Sequence, residues 1–177
     1  NGASLTGKGF HSDEIKNYIR GPRGSEAKLQ VWREGKQLAI TVTRGTIPVS
    51  AVDASYMLSK TTGYIRLNKF TEKSYEEFMA AMEALKRQGM QQLVFDLRGN
   101  GGGFMNEAVD MADEFLDGEK LVVYMQGEKK KKRDYRCKRP GLFEEGKLVL
   151  LVDELSASAS EVLAGALQDW CRATIVG

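Results

Sequence analysis

At 177 residues with 42% hydrophobic content, the chain has the length and apolar material for one ordinary core, or one and part of another. Its 26 Lys and Arg against 24 Asp and Glu leave a net charge of +2, which argues for neither a nucleic-acid binder nor an acidic tail. No run approaches ~18 consecutive apolar residues, and one His with two Cys excludes a disulfide framework and most metal chemistry.

The chain opens on a turn-like Asn1-Gly2 without an initiating Met, so a missing leader says nothing about compartment. Ile15, Tyr18 and Ile19 recur at helical spacing, predicting a short helix over 13–20 that ends at Gly21-Pro22. Ala27, Leu29 and Val31 alternate with polar residues, as do Leu38, Ile40 and Val42, and Glu34-Gly35-Lys36 between them signals a hairpin. Residues 46–60 read as a connector. From Thr61 strands alternate with helices. Residues 63–67 form a strand, and Ser74 with Glu77 reads as a capping box on a helix whose inner face is Phe78, Met82 and Leu85. Leu93 to Leu97 is a continuous apolar run, as buried parallel strands tend to be. A helix over 105–117 follows, with Ala108, Met111, Ala112 and Phe115 inward; strands at 121–124 and 148–152, a helix at 159–170 and a strand from Thr174 complete the chain. The order βαβαβ(loop)βαβ predicts an α/β fold with right-handed crossovers and a mixed, largely parallel sheet, preceded by a small α+β unit.

In such sheets ligands bind beyond the carboxyl ends of the strands, and two of these ends are unusual. Asp96-Leu97-Arg98-Gly99-Asn100-Gly101-Gly102-Gly103 places four glycines in five positions, so backbone N–H groups can approach a ligand closely. It is not a P-loop, and Phe104 stands where a dinucleotide fingerprint needs Gly or Ala; a plain strand–helix turn would look the same. Asp153-Glu154-Leu155-Ser156-Ala157-Ser158-Ala159-Ser160-Glu161 suits a sharp elbow that exposes a serine at a helix start, where an oxyanion is stabilised. Ser158-x-x-Glu161 is equally a capping box that needs no chemistry. If both strands are parallel neighbours, the two loops share an edge and together offer what acyl transfer requires, a nucleophile beside N–H donors. The only His, His11, lies in the other unit, so a Ser–His–Asp triad is improbable and a deprotonated Lys is the usual substitute.

These blocks, with Ala164-Gly165-Ala166-Leu167-Gln168-Asp169 and Arg172-Ala173-x-Ile175-Val176-Gly177 following in order, are similar to the carboxyl-terminal processing (tail-specific) serine peptidases. Residues 1–45, through Ile19-Arg20-Gly21-Pro22-x-Gly24 and Val42-Thr43-Arg44, resemble the second half of that family's PDZ domain. The resemblance implies a Ser–Lys dyad endopeptidase that cuts proteins near their C-termini, its PDZ domain capturing the exposed tail. It assigns Ser158 as nucleophile, the backbone N–H groups of Gly103 and Ala159 as oxyanion donors, Ser156 and Ser160 as structural residues, and Glu161 as a helix cap. No metal or cofactor is implied. The family's lysine follows its serine by roughly 25 residues, past Val-Gly; Gly177 lies 19 after Ser158, so 61–177 is expected to be a protease core truncated before the base, and the polypeptide to be inactive alone.

The partners implied are proteins or peptides with exposed C-termini and no nucleic acid; membrane association of a parent protein is not visible here, and oligomeric state is unknown. The family works outside the cytoplasm, in the bacterial periplasm or cell envelope or the chloroplast lumen. Lys129 to Arg133, with Arg136, Lys138 and Arg139, form a basic cluster that reads as a solvated loop or a site for an anionic partner. Trp32 and Trp170 read as packing residues, and pairing of Cys137 with Cys171 is not decided by spacing. Two other readings stay open: a non-catalytic peptide-binding scaffold, and an anion- or nucleotide-binding domain built on the glycine-rich loop.

Overall fold

The structure, a computed structural model, describes residues 4–5, 9–46 and 50–177; the Asn1-Gly2 turn lies outside them. The chain divides into two compact units, Asn1–Val49 and Ser50–Gly177. In the first, helix α1 (Ser12–Ile19) precedes the hairpin β1 (Glu26–Arg33) and β2 (Lys36–Thr43). Leu29 faces Ile40 and Val31 faces Leu38 in this antiparallel pair. Glu34 and Gly35 both take positive φ at the turn, which matches the right-handed twist of the flanking strands. Arg44 ties helix to hairpin, donating to the Ile19 carbonyl at 2.7 Å and the Glu26 carbonyl at 3.0 Å.

The second unit holds β3 (Val52–Met57), β4 (Thr62–Leu67), α2 (Ser74–Arg87), β5 (Gln92–Asp96), α3 (Met105–Asp113), β6 (Leu121–Gly127), β7 (Lys130–Arg136), β8 (Lys147–Leu151), α4 (Ala159–Asp169) and β9 (Thr174–Val176). The main sheet runs β3-β4-β5-β8-β9; β4, β5, β8 and β9 are parallel, and β3 is an antiparallel edge. This is the expected mixed, largely parallel α/β fold. Every crossover steps the same way across the sheet, so right-handed connections put α2, α3 and α4 on one face. The burial pattern agrees: Ile65, Leu67, Leu93, Phe95, Leu148 and Leu150 are buried, while Tyr64, Val94 and Val149 between them are half-buried. Phe78, Phe95, Phe115 and Phe143 stack edge-on and tilted through the middle of this core.

Four expectations change. Residues 46–60 are not simply a connector, because β3 lies within them. The capping box at α2 is absent: Lys73 is the N-cap, and Ser74 Oγ donates instead to the Thr71 carbonyl and to Glu107 of α3. Glu77 turns to the start of β3, accepting from Ser50 Oγ at 2.5 Å and the Ala51 and Val52 N–H groups at 2.7 and 3.2 Å. The basic segment 129–139 is not a loop; most of it is β7, paired antiparallel with β6 in a sheet separate from the main one. Trp32 is 67% exposed rather than packed, whereas the Trp170 indole N–H holds the Leu121 carbonyl at 2.8 Å. Cys137 is buried and Cys171 exposed, both as free thiols; burial, and then the neighbouring Asp113, push the Cys137 thiol up to about 12, so it is inert as a thiolate.

Candidate active site

Parallel pairing of β4, β5 and β8 in matched register brings three loops out at one sheet edge: the segment to Phe70, the glycine-rich turn 97–104 and the elbow 152–158. Leu97 continues the ladder by donating to Leu151. From there the turn and the elbow are bonded along their length. Asp153 accepts the Gly99 N–H at 2.9 Å, and that bond leads the causes that lower its carboxyl below the usual range. Ser156 Oγ donates to the Leu97 carbonyl at 2.8 Å and accepts from the Asp153 N–H at 3.0 Å.

Asn100 joins all three loops. Its side chain donates to the Leu67 carbonyl and accepts the Gly102 N–H, each at 2.9 Å. Its carbonyl accepts the Ala157 N–H at 3.1 Å and the Ser160 hydroxyl at 2.8 Å. Asn100 is fully buried, and sequence reading passed over it because its role depends on contacts more than 30 positions away.

Close approach explains two of the glycines. A Cβ on Gly102 (φ +91) would fall 2.6 Å from the Ala157 carbonyl, 2.8 Å from the Ala159 nitrogen and 2.8 Å from Ser158 Cβ. On Gly103 (φ +146) it would fall 2.0 Å from the Phe70 carbonyl. Phe70 donates to the Gly102 carbonyl, and Phe104 donates to that of Phe70. In this parallel bridge the N–H of Gly103 itself points away from Phe70.

Ser158 sits at the N-cap of α4 with φ 56° and ψ −112°, outside the regions an L-residue favours. Such a residue costs of order 1–3 kcal/mol and persists only where its surroundings over-determine it. Here Glu161 accepts the Ser158 N–H at 2.6 Å within a capping box, the preceding residue is tied to Asn100, and Gly102 packs against the elbow. The capping box and the exposed elbow are therefore the same structure, not alternatives. Ser158 and Gly103 are exposed, and the N–H groups of Gly103 and Ala159 have no hydrogen-bond partner among the described residues. Phe104 and Leu155, 53% and 61% exposed, flank the two loops. No His or Lys among the described residues is hydrogen-bonded to Ser158, and His11 belongs to the other unit.

On the outer face of the sheet Asp96 anchors the base of the turn. Burial raises its carboxyl, but hydrogen bonds from Arg98 and from the Tyr64 hydroxyl (2.6 Å) outweigh that and hold it at about 2.

A model of peptidase family S41 matches residues 61–177. The chain belongs to peptidase family S41. It is 35% identical to a carboxy-terminal-processing protease of Bartonella bacilliformis and 35% identical to a carboxyl-terminal-processing protease of Synechocystis, each match covering 93% of this chain. The S41 chain spans 39% of the length of both relatives. The solved photosystem II D1 C-terminal processing protease superposes on it with a TM-score of 0.65 and 27% identity, over 92% of this chain and 46% of that one.

Proposed function

We propose that the S41 chain carries the nucleophile and oxyanion hole of a serine endopeptidase that cuts proteins near their C-termini. Ser158 Oγ attacks the scissile carbonyl, and the carbonyl oxygen, gaining negative charge, is held by the N–H groups of Gly103 and Ala159. The amino terminus of α4 adds its positive dipole end to the same point. The observation that carries this reading is the strained, exposed Ser158 (φ 56°), held by Glu161 and packed against Gly102. A peptide-binding scaffold has no need of a hydroxyl on a strained backbone, and the strain would be relieved at no loss.

The proton leaves Ser158 for a lysine supplied outside residues 1–177, completing a Ser–Lys dyad. Residues 1–45, as part of a PDZ-like unit, would contribute to capture of the substrate's free C-terminal tail, and the parent protein would act outside the cytoplasm. These assignments follow the resemblance to the processing proteases. The test is hydrolysis of a fluorogenic peptide by the 177-residue polypeptide and by one extended with its natural following sequence. The short polypeptide is expected to be silent and the extended one active. Robust turnover by the short polypeptide, lost on Ser158→Ala, would overturn the external base while leaving the nucleophile in place.

A further inference from the structure

A recess of about 330 Å³ between α3 and the β6–β7 hairpin takes no part in the chemistry above. One wall is Asn106, Val109 and Asp110 of α3, and the other is residues 133–136 of β7. The α3 residues are spaced i, i+3 and i+4, so they share one face of the helix. The β7 residues are four in a row. Successive side chains of a strand point to opposite faces, so a cavity against one face would touch every second residue; an unbroken run of four marks the strand's edge.

That edge is open. β7 pairs only with β6, in a two-stranded sheet, and among the described residues no other backbone group bonds to residues 133–136. Every second residue of an antiparallel strand turns its N–H and C=O away from its partner, so part of this backbone faces the recess. Charges on an open edge commonly keep other strands off, but here they are turned onto the hairpin itself. Asp134 lies between Lys132 at 3.3 Å and Arg136 at 3.0 Å. Arg136 also donates to the Glu119 carbonyl, and the Arg133 guanidinium lies 4.9 Å from the centre of the Tyr135 ring. On the opposite wall the half-buried Asp110 carboxylate makes no hydrogen bond or ion pair among the described residues.

The recess begins near the candidate active site. Asn106 is in the first turn of α3, three residues after Gly103, hence within about 11 Å of that oxyanion donor. A free strand edge facing a helix across a groove is how extended peptides are bound by strand addition, main chain on the edge and side chains toward the helix. A second copy of this chain fits less well. Residues 120–139 hold nine Lys and Arg against Glu128 and Asp134, a net +7, so pairing two hairpins edge to edge would bring two such clusters together.

We propose that the groove between α3 and β7 holds an extended segment of the protein substrate, its main chain paired with the free edge of β7 and its side chains against Asn106 and Asp110. The occupant rests on the peptidase reading above, whereas the groove itself does not involve Ser158.

The test is fluorescence anisotropy of a rhodamine-labelled, uncharged peptide rich in Ala, Val and Thr, with the full chain carrying Ser158→Ala. Binding is then read without turnover, so a wrong nucleophile shows in the hydrolysis assay and leaves this result unmoved. The same peptide N-methylated along its main chain keeps its side chains and is expected to bind at least about tenfold more weakly. Asp110→Trp, which fills the groove from the α3 wall, is expected to give a similar loss with an unchanged melting curve, and Lys131→Gln, outside the groove, none. A benzophenone carried by the peptide should label residues 106–110 and 133–138 on illumination, which locates the peptide without altering the protein. No binding, equal binding of the N-methylated peptide, indifference to Asp110→Trp in a folded chain, or labelling confined to residues 1–45 overturns the proposal. Self-association of the chain that Asp110→Trp abolishes also overturns it and makes a second copy the occupant.

Discussion

Asn100 has its side-chain oxygen and nitrogen and its carbonyl all occupied by loops that surround Ser158. Its truncation should therefore be felt as structure, not merely as a lost contact. Asn100→Ala leaves the Gly102 N–H and the Leu67 carbonyl buried without partners, at about 1–3 kcal/mol each. We expect a loss of about 2–6 kcal/mol in a urea melt, and Asn100→Asp is no rescue, because a carboxylate cannot donate to Leu67. The Asp96 cluster makes a separate prediction in pH. A carboxyl held at about 2 when folded and near 3.9 when unfolded contributes stability that is complete above the unfolded value. That contribution disappears as pH falls through the folded one. The melting temperature should drop between about pH 4 and pH 2, and Asp96→Asn should flatten that drop while lowering stability at neutral pH.

Among the elements, the helices were legible because their apolar spacing is long and regular: Phe78, Met82 and Leu85 on α2, and Ala108, Met111 and Ala112 on α3, are buried as their periodicity predicts. β3 and β7 were not. β3 is an edge with residues exposed on both faces, and β7 consists almost entirely of cations. Neither buries a stripe, so neither carries the alternation from which a strand is read. The α2 capping motif failed for a related reason. Glu77 has the right spacing from Ser74, but the unpaired N–H groups at the start of β3 compete for its carboxylate, and no local pattern reveals a partner 25 or 26 positions away. Burial works against the Glu77 charge, yet the bonds from Ser50, Val52 and Ala51 keep its carboxyl below the usual range. Glu77→Ala should cost about 2 kcal/mol and, read by hydrogen exchange, should open β3 before the rest of the sheet. Uniform loss of protection across all five strands would contradict that role.

At the scale of the whole molecule, the candidate site was legible in two glycine- and serine-rich segments only because the sheet is parallel. β5 and β8 are neighbours running in one direction, so turns some 50 residues apart emerge at one edge. What spacing could not supply was the backbone of Ser158, whose positive φ sets it apart from an ordinary helix N-cap. The central claim is that Ser158, and not its neighbours Ser156 or Ser160, is the nucleophile. Peptide hydrolysis by the polypeptide extended with its natural following sequence, as proposed above, tests it most directly. Ser158→Ala should abolish turnover while leaving the melting temperature within a few degrees of the parent. Ser156→Ala, which removes a hydroxyl bonded to Leu97 and Asp153, should lower stability and keep measurable activity. Turnover that survives Ser158→Ala would contradict the account.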